Sequence, residues 1–178
     1  MQVATVSEIW RYPVKSLGGQ RIETAAIHDM GIAGDRGWAL VNQESGEITG
    51  AKHCHQLLDL SATYVAEPPE GPAYGADVPA VEIRLPDGRV IAEDASAAIS
   101  EYVGKPLGLA ALEPPDNLDH YRLQSPMTEE SINRLLGIKP GEAPPDMSVF
   151  SDEILATLAE FVSPPGTYYD VYPLHILT

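Results

Sequence analysis

The sequence predicts a mostly β fold: a small antiparallel β-barrel with short helices and long acidic loops. Two observations support this prediction. Apolar and polar residues alternate along several short stretches, which is the pattern of half-buried strands. Turn residues separate these stretches at intervals of about 8–12 residues, a spacing typical of barrels and sandwiches. We therefore expect more strand than helix in a chain of 178 residues.

The elements follow from these patterns in chain order. The predicted strands span 3–10, 21–27, 37–42, 48–49, 57–65, 81–85, 89–92, 107–112 and 169–177. The predicted helices span 95–103, 128–136 and 151–161. Asp94, Thr128 and Ser151 stand where an N-cap residue would accept a hydrogen bond from the first turn of each helix.

The chain changes character at Pro68, since fifteen of its sixteen prolines lie from there onward. Charge is uneven as well: residues 1–52 carry a net charge of -1 and residues 53–178 carry -14. We divide the chain into a β-barrel region, 1–112, and a proline- and acid-rich connecting region, 113–178.

Composition excludes some classes of function. A net charge of -15 disfavours binding to nucleic acid or to an anionic membrane. The single cysteine cannot form a disulfide within one chain. No signal-peptide pattern and no apolar stretch of membrane-spanning length is present, so we expect a cytoplasmic protein without a membrane partner.

Residues 12–19, Tyr-Pro-Val-Lys-Ser-Leu-Gly-Gly, connect the first two predicted strands and are called the Lys15 loop. Lys15 supplies a positive charge and Ser16 a hydroxyl, while the two glycines permit unusual backbone geometry. Two interpretations stay open from these residues alone. The loop is either a cradle for an anion or a tight connection whose lysine points into water.

A second motif follows the loop. Residues 31–41 read Gly-Ile-Ala-Gly-Asp-Arg-Gly-Trp-Ala-Leu-Val, and Gly-Ala-Lys follows at 50–52. The order of the two motifs resembles the N-terminal β-barrel half of the MOSC family, the molybdenum-cofactor sulfurase C-terminal-type proteins. The resemblance is strong over 3–65 and returns at 168–178.

The resemblance implies sulfur transfer or reduction of N-hydroxylated compounds at molybdenum, with a small-molecule substrate and a redox or sulfur-donor protein partner. It implies that Lys15, Ser16 and Lys52 hold the phosphate and pterin of the molybdenum cofactor (molybdopterin), and it also suggests pyridoxal phosphate binding. Lys52 stands where the family often has arginine, so the charge is kept but the bidentate fork is lost. We interpret Asp35 and Arg36 as a structural pair.

No catalytic or metal-binding residue is predicted. His53, Cys54 and His55 supply only half a zinc site, and we expect Cys54 to be an inert small apolar residue. Trp38 is interpreted as a core aromatic residue. In proteins of this family the cysteine that binds the metal lies in the C-terminal half, and this chain has no segment that matches it.

We therefore expect the region 113–178 to include the start of a truncated MOSC domain, and residues 1–178 alone to be inactive. The final strand would leave an unpaired edge that favours self-association. The alternative function is a non-catalytic β-barrel module that binds an anion or a partner protein.

Overall fold

Short antiparallel strands dominate the core of the computed structural model, which describes residues 5–125 and 128–177, without the side chain of Leu135. The strands are β1 Ile9–Arg11, β2 Gln20–Ile22, β3 Ile27–His28, β4 Gly31–Ile32, β5 Trp38–Asn42, β6 Ile48–Thr49, β7 Ser61–Tyr64, β8 Val81–Arg84, β9 Val90–Ile91 and β10 Leu107–Ala111. The helices are α1 Ala95–Val103, α2 Leu118–Tyr121, α3 Glu129–Leu136 and α4 Asp152–Glu160. Short 3₁₀ turns span His55–Asp59 and Gly75–Asp77.

The strands form four small sheets, and the described residues contain no closed barrel. Two three-stranded sheets have the orders β10-β5-β6 and β7-β8-β9, and two hairpins join β1 to β2 and β3 to β4. All these pairings are antiparallel. A closed barrel requires every strand to pair with a neighbouring strand on both sides. The strands here have two to five residues, and the outer strands of each sheet pair with another strand on one side only. The predicted mostly β fold with a few helices is confirmed, and its strands do not close into a barrel within the described residues.

The Lys15 loop joins the two three-stranded sheets. Its backbone runs beside β5, where the Lys15 N–H donates to the Trp38 carbonyl at 2.8 Å and the Trp38 N–H donates to the Pro13 carbonyl at 3.0 Å. Further on, the Gly18 N–H donates to the Leu60 carbonyl at 2.8 Å, just before β7. A loop bonded to both sheets is a structural part of the fold, and these bonds hold its backbone in place.

The core contains two apolar clusters. The first lies between the two larger sheets and includes Val14 and Leu17 of the Lys15 loop, Leu40 of β5, Ile83 of β8 and Ile99 of α1. The second cluster comprises Ala39, Ile48, Val78, Leu112, Tyr121 and Tyr168. Because the second cluster draws residues from both predicted regions, residues 113–178 pack against the β-rich part of the chain.

Several predicted elements are confirmed. Six strands lie within the ranges predicted for them: the hairpin β5–β6, the hairpin β8–β9, and strands β7 and β10. Helices α1, α3 and α4 are also confirmed. Helical residues (22%) are nevertheless as numerous as strand residues (21%), so the expected excess of strand over helix is wrong.

Other predicted boundaries are corrected. The first strand spans only Ile9–Arg11, and the first two residues of its predicted range 3–10 lie outside the described residues. The second ends at Ile22, and a separate hairpin of two-residue strands begins at Ile27. No strand lies within 169–177, because no described segment pairs with it. Apolar alternation is therefore not sufficient for a strand without a neighbouring backbone.

Two of the three predicted side-chain helix caps are confirmed. The Thr128 hydroxyl accepts from the Ser131 N–H in a reciprocal capping box, and Ser151 caps α4 by accepting from the Ile154 N–H. The predicted side-chain cap at Asp94 is wrong, since its φ of 53° is left-handed and its carboxylate makes no cap hydrogen bond. In the described part of the chain, no helix has the length and apolar character needed to cross a bilayer.

Helix α1 is attached to the outer edge of β10 by two serine hydroxyls. Ser96 Oγ accepts from the Leu109 N–H at 2.9 Å. Ser100 Oγ accepts from the Leu107 N–H at 2.9 Å, and its single hydrogen has two acceptors in reach, the Ser96 carbonyl at 2.7 Å and the Leu107 carbonyl at 2.8 Å. These side chains satisfy backbone groups that an edge strand would otherwise present to solvent.

Candidate anion-binding site

The Lys15 loop and the segment 50–52 meet in the structure. A Cβ atom added to Gly50 would lie 2.6 Å from Ser16 Oγ and 3.9 Å from Lys15 Cε. Ser16 itself has a φ of 70°, a left-handed conformation that is uncommon for a residue other than glycine. Two strongly constrained segments therefore place the Ser16 hydroxyl and the Lys15 side chain next to the loop that carries Lys52.

Lys15 and Lys52 converge on one carboxylate. Lys15 Nζ lies 2.8 Å from Asp170 Oδ1, and Lys52 Nζ lies 3.5 Å from Asp170 Oδ2. Lys15 Nζ also donates to the Tyr168 carbonyl at 2.8 Å. The two ammonium groups can thus contact the two oxygens of a single anionic group, which is the geometry that a phosphate-sized ligand requires.

The two lysines differ in their exposure to solvent. The Lys15 side chain is 11% exposed, whereas that of Lys52 is 57% exposed. Burial lowers the pKa of Lys15, and the neighbouring charges of Arg36 and Lys52 lower it further, while the Asp170 carboxylate opposes these effects. Burial therefore disfavours the charged form of Lys15, and the Asp170 carboxylate favours it.

The Asp170 carboxylate responds to the same charges with the opposite sign. Partial burial by itself would raise its pKa, but the Lys15 and Lys52 ammonium groups outweigh burial and hold the pKa below its ordinary value. Asp170 is therefore ionised at neutral pH. Two ammonium groups therefore surround one ionised carboxylate at this site.

Asp35 and Arg36 form the predicted structural pair. Arg36 Nε lies 3.5 Å from Asp35 Oδ2, and Asp35 Oδ1 accepts from the Tyr12 N–H at 2.7 Å. The Tyr12 carbonyl accepts in turn from the Arg36 N–H. Burial raises the pKa of Asp35, and the Arg36 charge and the Tyr12 hydrogen bond partly offset that rise. The pair joins the GDR segment to the Lys15 loop.

The His53-Cys54-His55 segment forms a turn and the start of a 3₁₀ helix. Both histidines are exposed, while Cys54 is 3% exposed and belongs to the first apolar cluster. The interpretation of Cys54 as a small core residue is confirmed. Trp38 is also confirmed as a core aromatic residue, packing against both clusters and donating from its indole N–H to the Pro79 carbonyl at 2.8 Å.

Two residues of the site were not predicted from the sequence. Asp170 lies in the segment 169–177 that was interpreted as a strand, and Tyr168 directly precedes it. Their acidic and aromatic character gave no indication of Lys15, which both of them contact. Tyr168 is 1% exposed, and its hydroxyl donates to the Ala111 carbonyl at 2.8 Å and lies 2.7 Å from His120 Nε2. Since that hydroxyl gives its hydrogen to the carbonyl, the His120 ring nitrogen donates to it.

A second buried cation lies near the Lys15 loop and was also missed. Arg11, 2% exposed, makes a bidentate contact with Glu67 at 2.6 and 3.0 Å, and its guanidinium lies 5.3 Å from the centre of the Tyr64 ring. The Arg11 hydrogen bonds lower the pKa of the exposed Glu67 carboxyl. This pair connects β1 to the loop after β7 and plays a structural part beside the site.

The chemistry of these groups suits one part of a phosphate-bearing cofactor. Two ammonium groups and a serine hydroxyl can bind a phosphate. A metal ion would need other ligands, and within residues 5–125 and 128–177 no three His, Cys, Asp or Glu side chains lie close enough together to hold one. The described residues therefore fit the phosphate group but supply no metal ligand set.

Comparison with known proteins agrees with the motif order. The mouse mitochondrial amidoxime-reducing component 1 is 29% identical over 123 residues, covering 57% of this chain and 35% of that protein. The bovine mitochondrial amidoxime reducing component 2 is 36% identical over 67 residues, covering 35% of this chain and 20% of that protein. The human component 1 is 38% identical over 66 residues, covering 35% of this chain and 19% of that protein. The chain thus spans about a third or less of each relative's length.

Residues 3–98 match the MOSC N-terminal beta barrel domain, and the chain belongs to that family.

Proposed function

We propose that this chain forms the cofactor-anion side of a MOSC-type molybdenum-cofactor protein. In this proposal Lys15, Ser16 and Lys52 bind the phosphate of the molybdenum cofactor. The observation that supports it is the convergence of Lys15 and Lys52 on one carboxylate, at 2.8 and 3.5 Å. Family membership supports the identity of the cofactor.

The cofactor, when bound, would supply the metal centre at which sulfur transfer or reduction of an N-hydroxylated compound takes place. The residues of this chain bind and orient it. Lys15, fixed by the Tyr168 carbonyl, provides the rigid contact, and exposed Lys52 provides a contact that can adapt. Ser16 Oγ, packed on Gly50, adds a neutral hydrogen bond.

The names of the relatives suggest an N-hydroxylated substrate such as an amidoxime. A redox or sulfur-donor protein as partner and a cytoplasmic location stay predictions, as does the boundary between regions 1–112 and 113–178. We propose that residues 1–178 have no turnover alone, because molybdenum chemistry in this family needs a thiolate ligand and Cys54, the one cysteine of the sequence, is buried in the first apolar cluster.

A second candidate function is a non-catalytic module that binds a simple anion. The same geometry supports it, because two lysines around a carboxylate recognise any phosphate or sulfate group. Pyridoxal phosphate shares this chemistry and belongs to the same test. The two candidates differ in whether the pterin ring system adds affinity beyond that of the phosphate.

Titration calorimetry with sulfate tests the anion site. Lys15→Met and Lys52→Met keep the aliphatic stem and remove the charge, and each should weaken sulfate binding by roughly tenfold. Lys139→Met is the matched control, since Lys139 is exposed in the turn after α3. Equal affinities in all four proteins would rule out the site.

A second experiment separates the candidates. The protein is incubated with isolated molybdopterin, with pyridoxal 5′-phosphate or with sulfate, and retained pterin is measured by fluorescence after oxidation. Retention of pterin that depends on Lys15 supports the cofactor function. Equal affinity for all three ligands supports the simple anion module. Reduction of an N-hydroxylated substrate with added cofactor and electron donor, if it persists in Cys54→Ser, would refute the expected inactivity.

A further inference from the structure

We infer that Asp170 is a built-in competitor for the anion site, so that an external anion binds Lys15 and Lys52 together only after the Asp170 carboxylate has moved away. This inference rests on the proposed function of the site. It goes further by assigning a role to a residue of the 113–178 region and by stating which anions can bind. The chain would carry its own low-affinity ligand.

The geometry leaves little room for a second anion while Asp170 is in place. Lys15 Nζ already donates to Asp170 Oδ1 and to the Tyr168 carbonyl, both at 2.8 Å. An ammonium group has three donors, and the Lys15 side chain is only 11% exposed. One donor of Lys15 remains and Lys52 is exposed, but an anion can take the bridging position between the two Nζ atoms only by replacing the carboxylate that occupies it.

Asp170 is placed so that it can leave without unfolding the site. Its side chain is 55% exposed, and its contact with Lys52 is the longer of the two, at 3.5 Å. No hydrogen bond between backbone groups connects residues 169–177 with the rest of the described chain. Rotation of the Asp170 side chain towards solvent therefore breaks only its own ion pairs.

Tyr168 stays fixed while Asp170 moves. Its ring is buried, and its hydroxyl is held by the Ala111 carbonyl and by His120. The Tyr168 carbonyl can therefore keep Lys15 in position after the carboxylate has left. The site would retain its shape and expose two ammonium groups, which is the form that binds a ligand.

A tethered carboxylate also selects among anions. Because it is covalently attached, its effective concentration at the lysines is on the order of millimolar or higher. A free monoanion such as acetate offers the lysines the same chemistry without this advantage. A dianion such as sulfate or a phosphate monoester interacts more strongly with two ammonium groups and can displace it. The site should therefore prefer dianionic groups.

Sulfate titrations of three proteins at constant ionic strength test the inference. Asp170→Asn removes the competing charge, and we expect it to bind sulfate about tenfold more tightly than the parent protein. Asp87→Asn is the matched control. Asp87 is likewise an exposed carboxylate in an ion pair, 2.7 Å from Arg89 Nε in the β8–β9 turn, so the change in net charge is the same. Its sulfate affinity should equal that of the parent.

The outcomes separate this inference from the proposed function. Equal or weaker sulfate binding in Asp170→Asn, with binding still dependent on Lys15, overturns the competitor role and leaves the anion site intact. No sulfate binding in either the parent or the variant overturns both. Asp170→Ser repeats the test if the asparagine variant does not fold. Measurable acetate binding in the variant, and none in the parent, would support the predicted preference for dianions.

Discussion

Replacing Gly50 with alanine tests whether the packing of Ser16 against Gly50 builds the site. The new Cβ would lie 2.6 Å from Ser16 Oγ, far inside ordinary contact distance. To reach an ordinary carbon–oxygen separation, one of the atoms must shift by about 0.8 Å. Ser16 can yield most easily by rotating its hydroxyl, since the Lys15 loop backbone is bonded to both neighbouring sheets.

The expected magnitudes follow from that rotation. An off-rotamer side chain costs about 0.5–1.5 kcal/mol. In a chain of this size a loss of about 1 kcal/mol lowers the melting temperature by roughly 2–4 °C. Loss of one neutral hydrogen bond from Ser16 should weaken sulfate binding by about fivefold. Gly50→Ala is therefore a variant with a small effect on stability and a larger relative effect on binding.

Differential scanning calorimetry and sulfate titration measure the two effects. Gly71→Ala is the control, because nothing lies within 4 Å of its added Cβ and its backbone φ is not positive. That variant should melt at the same temperature or slightly higher, since alanine restricts the unfolded chain. If Gly50→Ala melts and binds sulfate like the control, Ser16 is not packed as described and the reasoning fails.

Two other predictions concern the 168–170 segment. Tyr168→Phe should lower the free energy of unfolding by about 1–3 kcal/mol, because it leaves buried hydrogen-bond partners unsatisfied. The control Tyr102→Phe removes an exposed hydroxyl and should lower it by under about 0.5 kcal/mol. Urea denaturation measures both values. Because the folded-state pKa of Asp170 lies below its ordinary value, its ion pairs stabilise the protein fully above about pH 4 and are lost as the pH falls through the lowered pKa. The stability difference between the parent and Asp170→Asn should therefore shrink on acidification. At neutral pH we expect it to be under about 1 kcal/mol, because the Asp170 side chain is 55% exposed. A difference that grows below pH 4 would contradict this assignment.

The sequence predicts a helix or strand best where residues within that element or next to it specify its structure. The β8–β9 hairpin follows from two alternating runs around Pro86-Asp87-Gly88, and α3 follows from Thr128 at its start and Gly137 at its end. Such signals lie within a few residues of the element that they specify. The two-residue strands β3 and β4 are too short to show any alternation, and the sequence analysis missed them.

The contacts of the candidate site, by contrast, could be predicted from the sequence only in part. Lys15 and Lys52 could be identified from motif order, and the structure brings them together. Their shared partner Asp170 lies 155 positions from Lys15, and no local pattern reports a contact at that separation. The segment around Asp170 alternates like a strand, but strand formation depends on a partner backbone that the segment itself does not specify.

The serine contacts between α1 and β10 have a consequence for how the protein behaves at high concentration. An open strand edge can add a strand from another molecule, and repeated addition leads to aggregation. Ser96 and Ser100 bind the N–H groups of Leu109 and Leu107, which such an addition would use. At the opposite edge of the same sheet, β6 has only two residues and offers a short template. Two hydroxyl groups therefore protect the β10 edge of this sheet against intermolecular strand addition, which gives them a role in colloidal stability although they take no part in the anion site.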